Sequence, residues 1–134
     1  MQGNNRYRLK PNEIAVIQEM RKSEVRNILV IGDLHEPFCL DGYLEWCKEQ
    51  YKVHNCNQVI FIGDIIDAHG FSYHEPDPDG MSSGLELETA IAKIQKWYEA
   101  FPEADVMIGN HDRMASRKAM SGGIPAAWIR SYNE

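Results

Sequence analysis

Val30-Ile31-Gly32-Asp33-Leu34-His35-Glu36-Pro37-Phe38 is the stretch that decides how this chain is read. It closes the apolar run Ile28 to Ile31 at Gly32 and then presents Asp33 and His35 on either side of Leu34. A near-continuous Val/Ile/Leu run is the pattern of a strand buried on both faces. Glycine turns the backbone without a Cβ clash. The two polar side chains are therefore expected just past the carboxyl end of a strand, where open α/β sheets bind their ligands.

The same arrangement recurs twice. Val59-Ile60-Phe61-Ile62 runs into Gly63 and is followed by Asp64 and Asp67. Val106-Met107-Ile108 runs into Gly109 and is followed by Asn110, His111 and Asp112. Between the runs lie two segments of helical spacing. In the first, Asp41 is the expected N-cap, and Leu40, Tyr43, Leu44, Cys47 and Tyr51 form a stripe. In the second, after a loop from Ala68 to Ser82, Ser83-Gly84-Leu85-Glu86 fits a capping box. The stripe Leu87, Ala90, Ile91, Ile94, Tyr98, Phe101 follows, and Pro102 closes it. A β-α-β-α-β order with right-handed crossovers sets three parallel strands side by side, their carboxyl ends together. All three polar sets then converge on one spot.

The rest of the chain bounds the function. Its 134 residues make one domain. A net charge of −6, from 14 basic and 20 acidic residues, argues against indiscriminate nucleic-acid binding, although bound cations would offset an acidic cluster locally. No apolar run approaches the roughly 18 residues of a membrane span. The polar start, Gln2 to Arg8, lacks the apolar core of a secretory signal. Cys39, Cys47 and Cys56 are odd in number and not spaced as metal ligands, which reads as free thiols in the cytoplasm. Residues 1–26 carry six basic and three acidic side chains and form an N-terminal extension to a domain over 27–134. Within the extension Pro11 opens a helix with Ile14, Ile17 and Met20 on one face. The plain expectation is a solvated helix packed on the sheet edge; a contact to nucleic acid or to a preceding domain is the other. Near the chain's end, Arg113, Arg117 and Lys118 share one side of a helical piece, and Ser121-Gly122-Gly123 separates it from a second.

Carboxylates with an imidazole and an amide oxygen make a donor set of mixed hardness, suited to Mn, Fe or Zn. A shared carboxylate, best supplied by Asp64, would bridge two cations about 3.5–4 Å apart. Such a pair clamps a phosphate and turns a water into a nucleophile at neutral pH.

Gly32-Asp33-Leu34-His35, Gly63-Asp64-Ile65-Ile66-Asp67 and Gly109-Asn110-His111-Asp112 together resemble the calcineurin-like metallophosphoesterase family. The segment Ser72 to Gly80 and the Trp97-Tyr98…Phe101-Pro102 run look most like phage-type members. The resemblance implies half of a four-layer αββα sandwich and a dinuclear hydrolase of phosphate mono- or diesters. Asp33, His35, Asp64 and Asn110 would ligate two divalent metals, manganese first, with iron, zinc or magnesium as alternatives. His111 would be the general acid, held by the carboxylate of Asp67. Arg113 and His74, with His69 beside them, are the candidate substrate contacts. Two departures stand out: Ala68 occupies the place of the family's arginine, and no histidine follows Asp112. A C-terminally truncated polypeptide is therefore expected, with three protein ligands for one metal and two for the other.

The substrate is a phosphate ester, with nucleic acid among the candidates. No membrane partner is expected, and the oligomeric state stays open. The rival from another class is an incomplete fragment that binds a cation or a partner without turnover. A weaker rival is a DNA-binding accessory protein acting through the basic N-terminal helix. Glu75-x-Asp77-x-Asp79-Gly80 has some look of a calcium loop, but its prolines and the lack of an entering helix favour a simple Asp-Pro-Asp-Gly turn.

Overall fold

The structure, a computed structural model, describes residues 10–23 and 26–130. Helix α1 (Pro11–Ser23) precedes strand β1 (Ile28–Ile31), helix α2 (Tyr43–Val53), strand β2 (Gln58–Phe61), helix α3 (Ser83–Ala100), strand β3 (Asp105–Val106) and helix α4 (Met114–Ser121). The three strands are parallel and lie in the order β1-β2-β3, with Ile31 opposite Phe61 and Phe61 opposite Val106. The expected β-α-β-α-β order is therefore present. The third strand is shorter than its apolar run: Met107 and Ile108 lie beyond it and are exposed.

One face of the sheet carries the core. Ile31, Val59 and Phe61 from the strands meet Leu34, Cys47 of α2, Trp97 of α3 and Phe101. Aromatic rings fill the seam between the helices and the sheet: Tyr43 on Trp97 at 5.7 Å, Tyr51 on Phe101 at 5.8 Å and Phe61 on Trp97 at 5.9 Å between centroids. Both crossovers advance the same way across the sheet, so right-handedness places both helices on the same side. That is why burial on both faces, expected from the apolar runs, does not occur. Ile28, Val30 and Ile62 are exposed, Val30 to 56%. Burial raises the Cys47 thiol above its ordinary pKa. All three cysteines are free, as expected.

Several local expectations need correction. Asp41 does not cap α2; Gly42 takes the N-cap with a left-handed φ of 81°, which a residue without a Cβ adopts freely. Ser82, not Ser83, caps α3, its Oγ accepting from the Leu85 N–H at 3.3 Å. Glu86 does not close the capping box. It is buried and accepts the N–H groups of His69 and Gly70 at 2.7 and 2.9 Å, so the helix start grips the loop after β2. The stripe on α3 is also turned from the expected one: Glu86, Ala90 and Trp97 are inward, while Leu87, Ile91 and Tyr98 are exposed. In α1, Ile14 is exposed rather than sealed against the sheet. The polar segment 1–9 and the side chains of Ile17 and Met20 lie outside the described residues. No described helix is long and apolar enough to cross a membrane.

Candidate metal centre

Strand pairing does not stop where β1 and β2 end. The His35 N–H donates to the Asp64 carbonyl at 3.0 Å, Glu36 N–H to Ile65 at 2.9 Å, and Asp67 N–H back to Glu36 at 3.0 Å. The two ligand loops are thus knitted together as a continuation of the sheet. Glu36 ties this knot to the core. Its buried carboxylate accepts the Trp97 indole N–H at 2.9 Å, and Lys93 stands 3.9 Å from its other oxygen while donating to the Pro37 carbonyl.

The third loop is clamped by Asp112. One carboxylate oxygen accepts the N–H groups of Asp64 and Gly109 at 2.9 and 2.8 Å; the other accepts those of Ile65 and Ile66 at 2.9 and 3.2 Å. Asp112 was expected among the metal-type side chains. With four backbone donors on its two oxygens it serves as the staple between two loops. Gly63 and Gly109 allow those loops to touch. A Cβ on Gly63 would fall 2.4 Å from the Gly109 nitrogen, and one on Gly109 would fall 2.1 Å from Asp64 Oδ1. Gly32 differs: it does not make the turn after β1, and its space is closed by the Ile62 side chain.

The turn after β1 falls instead on the ligand candidates. Asp33, His35 and Asp64 all have left-handed backbones, with φ of 51°, 49° and 52°. Left-handed φ costs a non-glycine residue on the order of 1 kcal/mol, least for Asp, Asn and His. Such strain persists where surrounding contacts enforce it, and it marks functional sites. Ala68, with φ of 55°, continues the series past Asp67.

The candidate donors meet as follows. One donor atom each from Asp33, His35 and Asp64 lies within 4.8 Å of the others. Asp33 is 73% exposed and His35 about one-third. Asp64 uses one oxygen to accept the His111 N–H at 2.8 Å. His35 Nδ1 lies 2.7 Å from Asp67 Oδ1. A carboxylate has no proton to give, so the imidazole donates there from Nδ1 and its Nε2 faces Asp33 at 3.9 Å. A carboxylate behind a histidine is the usual support of a metal-binding imidazole, fixing its tautomer and ring orientation. The donors present therefore fit a divalent cation. His35, Asp67 and His111 also lie close enough to form a set of their own. That trio is better read as a hydrogen-bonded relay, because the His35–Asp67 pair is already satisfied internally.

One pairing differs from the expectation. His111 is held by Asp67, but through the backbone carbonyl, 2.5 Å from Nδ1, and not through the carboxylate. The reason is local: His35 comes from the neighbouring paired loop and reaches the carboxylate first. His111 still presents Nε2, and its ring lies edge-on to His35 with centroids 4.6 Å apart. Asn110 is exposed and lines a surface depression with Tyr73, Arg113 and Arg117. His69 stays near the centre, its Nδ1 3.8 Å from Asp67 Oδ2, while its Nε2 accepts the Asp77 N–H at 3.1 Å. That contact organises the loop after β2. His74 is exposed on the same loop, its N–H donating to Ser72 Oγ at 3.2 Å. Asp77 accepts the N–H groups of Asp79 and Gly80 in an ordinary turn.

Sequence reasoning passed over Glu36 and gave Glu86 only a capping role. A signal for Glu36 was available, since Lys93 and Trp97 stand four apart on one helix face and both need an acceptor. Replacing Asp67 by Asn should weaken cation binding about 10- to 100-fold, because the amide no longer enforces the His35 tautomer. Calorimetric titration of Mn checks this, and unchanged affinity would remove Asp67 from the site.

Searches among curated proteins and among solved structures return no match. The family model described as calcineurin-like phosphoesterase matches residues 26–134, the span that holds all three loops. With glycines, carboxylates and histidines gathered at the carboxyl ends of three parallel strands, the chain belongs to the calcineurin-like phosphoesterase family.

Proposed function

We propose that this chain is a metal-dependent phosphoesterase, and that Asp33, His35, Asp64 and Asn110 hold two divalent cations, manganese first among them. The observation that carries the reading is the His35–Asp67 pair, which leaves Nε2 facing the carboxylates of Asp33 and Asp64. Bound cations would supply charge neutralisation at the phosphate and lower the pKa of a water. The remaining work falls to side chains of this protein. Asp64 is held at its carboxylate by the His111 N–H and at its own backbone N–H by Asp112, with one carboxylate oxygen within reach of Asp33 and His35. His111 donates from Nδ1 to the Asp67 carbonyl, so it serves as general acid through Nε2 in its doubly protonated form. Water attacks phosphorus opposite the ester oxygen and releases a proton to solvent. The P–O bond to the leaving group breaks, and protonated His111 gives its Nε2 proton to that oxygen and is reprotonated from solvent. Substrate contacts fall to Arg113 and, from the loop after β2, His74.

The test is hydrolysis of bis-p-nitrophenyl phosphate by the full chain with Mn at neutral pH. The wild type should turn over, and Asp64→Asn should lose at least about a hundredfold, the effect of removing a few kcal/mol of metal assistance. A second reading, a chain that binds a cation or a protein partner without turnover, is favoured by one observation. The sheet face bearing Ile28, Val30 and Ile62 is exposed and apolar. Absence of Mn-dependent turnover in the wild type would select it.

A further inference from the structure

We propose that the depression beside Asn110 is a nucleotide-recognition subsite, so that the substrate is a nucleotidyl phosphodiester such as a short single strand of nucleic acid. The proposal rests on the phosphoesterase reading above and adds the substrate class. The depression has a volume of about 420 Å³ and is lined by Tyr73, Asn110, Arg113, Arg117, Met120 and Ser121. Asn110 directly precedes His111 and is one of the proposed metal ligands, so the depression shares a residue with the proposed centre.

Its chemistry is specific. In a chain of net charge −6, the lining holds two guanidiniums and no carboxylate. Such a patch attracts anions, and guanidinium forks match phosphate oxygens two at a time. Arg113 and Arg117 are joined by the Arg117 N–H to Arg113 carbonyl bond of 2.9 Å. Four residues apart on one helix face, their Cβ atoms are about 5–6 Å apart, room for two phosphate groups of one strand. Tyr73 supplies the other half of the recognition. Tyr73 is 57% exposed, and the neighbouring Met120 is also exposed. Flat apolar faces of this kind stack nucleobases without demanding a particular sequence.

Tyr73 is not a loose loop residue. Lys118 donates to the Ser72 carbonyl at 2.9 Å and lies 4.8 Å from the Tyr73 ring centroid, and the Arg117 guanidinium carbon lies 5.2 Å from it. Helix α4 thus holds the loop that carries the aromatic platform. A phosphoserine or phosphothreonine side chain would use the guanidiniums but has no ring to place on Tyr73, so the platform favours the nucleotide over those.

The experiment has two readouts on the full chain. The first is the ratio of kcat/KM for the p-nitrophenyl ester of thymidine 5′-phosphate to that for bis-p-nitrophenyl phosphate, both with Mn. The wild type should favour the nucleoside ester at least about tenfold, the worth of one stacked base. Tyr73→Leu and Arg117→Met should bring the ratio near one. Lys52→Met, on α2, should leave it unchanged. The second readout is binding of fluorescein-labelled oligothymidylate without added metal, followed by anisotropy against salt. Arg117→Met should reduce the slope of log affinity on log salt by about 0.7, one phosphate contact to a single strand. If no ester is hydrolysed but the oligonucleotide binds with these variant effects, the phosphoesterase reading fails and the subsite stands. A ratio near one in the wild type, equal binding of a phosphopeptide, or oligonucleotide binding indifferent to Tyr73→Leu and Arg117→Met overturns the subsite.

Discussion

Gly109→Ala should unfold the centre while leaving the sequence of metal-type side chains untouched. The added methyl would sit 2.1 Å from Asp64 Oδ1 and 2.2 Å from the Asp64 nitrogen, closer than any real Cβ contact. Neither atom can step aside cheaply. The nitrogen donates to Asp112, the oxygen accepts from His111, and the Gly109 N–H is itself bound to Asp112. Relief therefore requires the second and third loops to part, which breaks the two bonds that run between them, Asp64 N–H to Asp112 and His111 N–H to Asp64. Overpacking alone costs about 1–3 kcal/mol, and a broken, partly buried hydrogen bond adds about 1 kcal/mol or more. The expected loss is about 3 kcal/mol or greater in urea denaturation, with Mn affinity lost as well. Gly32→Ala is the contrast. Its Cβ would meet only the Ile62 side chain, at 2.9 Å, and Ile62 is exposed and free to swing, so less than about 1 kcal/mol is expected. Equal stability of the two variants would refute the close-contact explanation.

Asp112→Asn is the second large effect. The carboxylate takes two N–H groups on each oxygen. An amide of the same shape keeps one acceptor and turns an NH₂ toward two N–H donors. Two backbone donors lose their partners and meet a donor instead, for an expected loss of about 3 kcal/mol. The same change frees Asp64, so Mn affinity should fall in parallel with stability. Denaturation and metal titration on the same sample check both. An Asn variant matching the wild type in either measurement would reduce Asp112 to a bystander.

What could be read from residues alone was the recurrence of apolar run, glycine and ligand. Because parallel strands joined by right-handed crossovers must end together, three such recurrences imply convergence. The fold class followed from the same pattern: the three-stranded parallel sheet with its helices is consistent with half of a metallophosphoesterase fold. Less visible was which face each apolar residue takes. The run Ile28 to Ile31 looks buried throughout, yet its alternate residues are exposed, because among the described residues α2 and α3 pack on the other face of the sheet. Periodicity cannot report which layers surround a strand.

The finer geometry escaped for a different reason. The roles of Glu36, Glu86 and Asp112 depend on backbone N–H groups or side chains up to 61 residues away in sequence. Asp67 was expected to support His111 with its carboxylate; it supports His35 that way and His111 with its carbonyl. Spacing places residues at the end of a strand. It does not decide which of two adjacent histidines a carboxylate reaches.

The central claim is that Asp33, His35 and Asp64 face one cation. Electron paramagnetic resonance of Mn titrated into the wild-type chain and into His35→Gln measures it directly, since bound Mn loses the signal of the free ion. Saturable binding to the wild type that disappears in a folded His35→Gln chain is the expected result. Binding that survives the substitution, or none in the wild type, would contradict it.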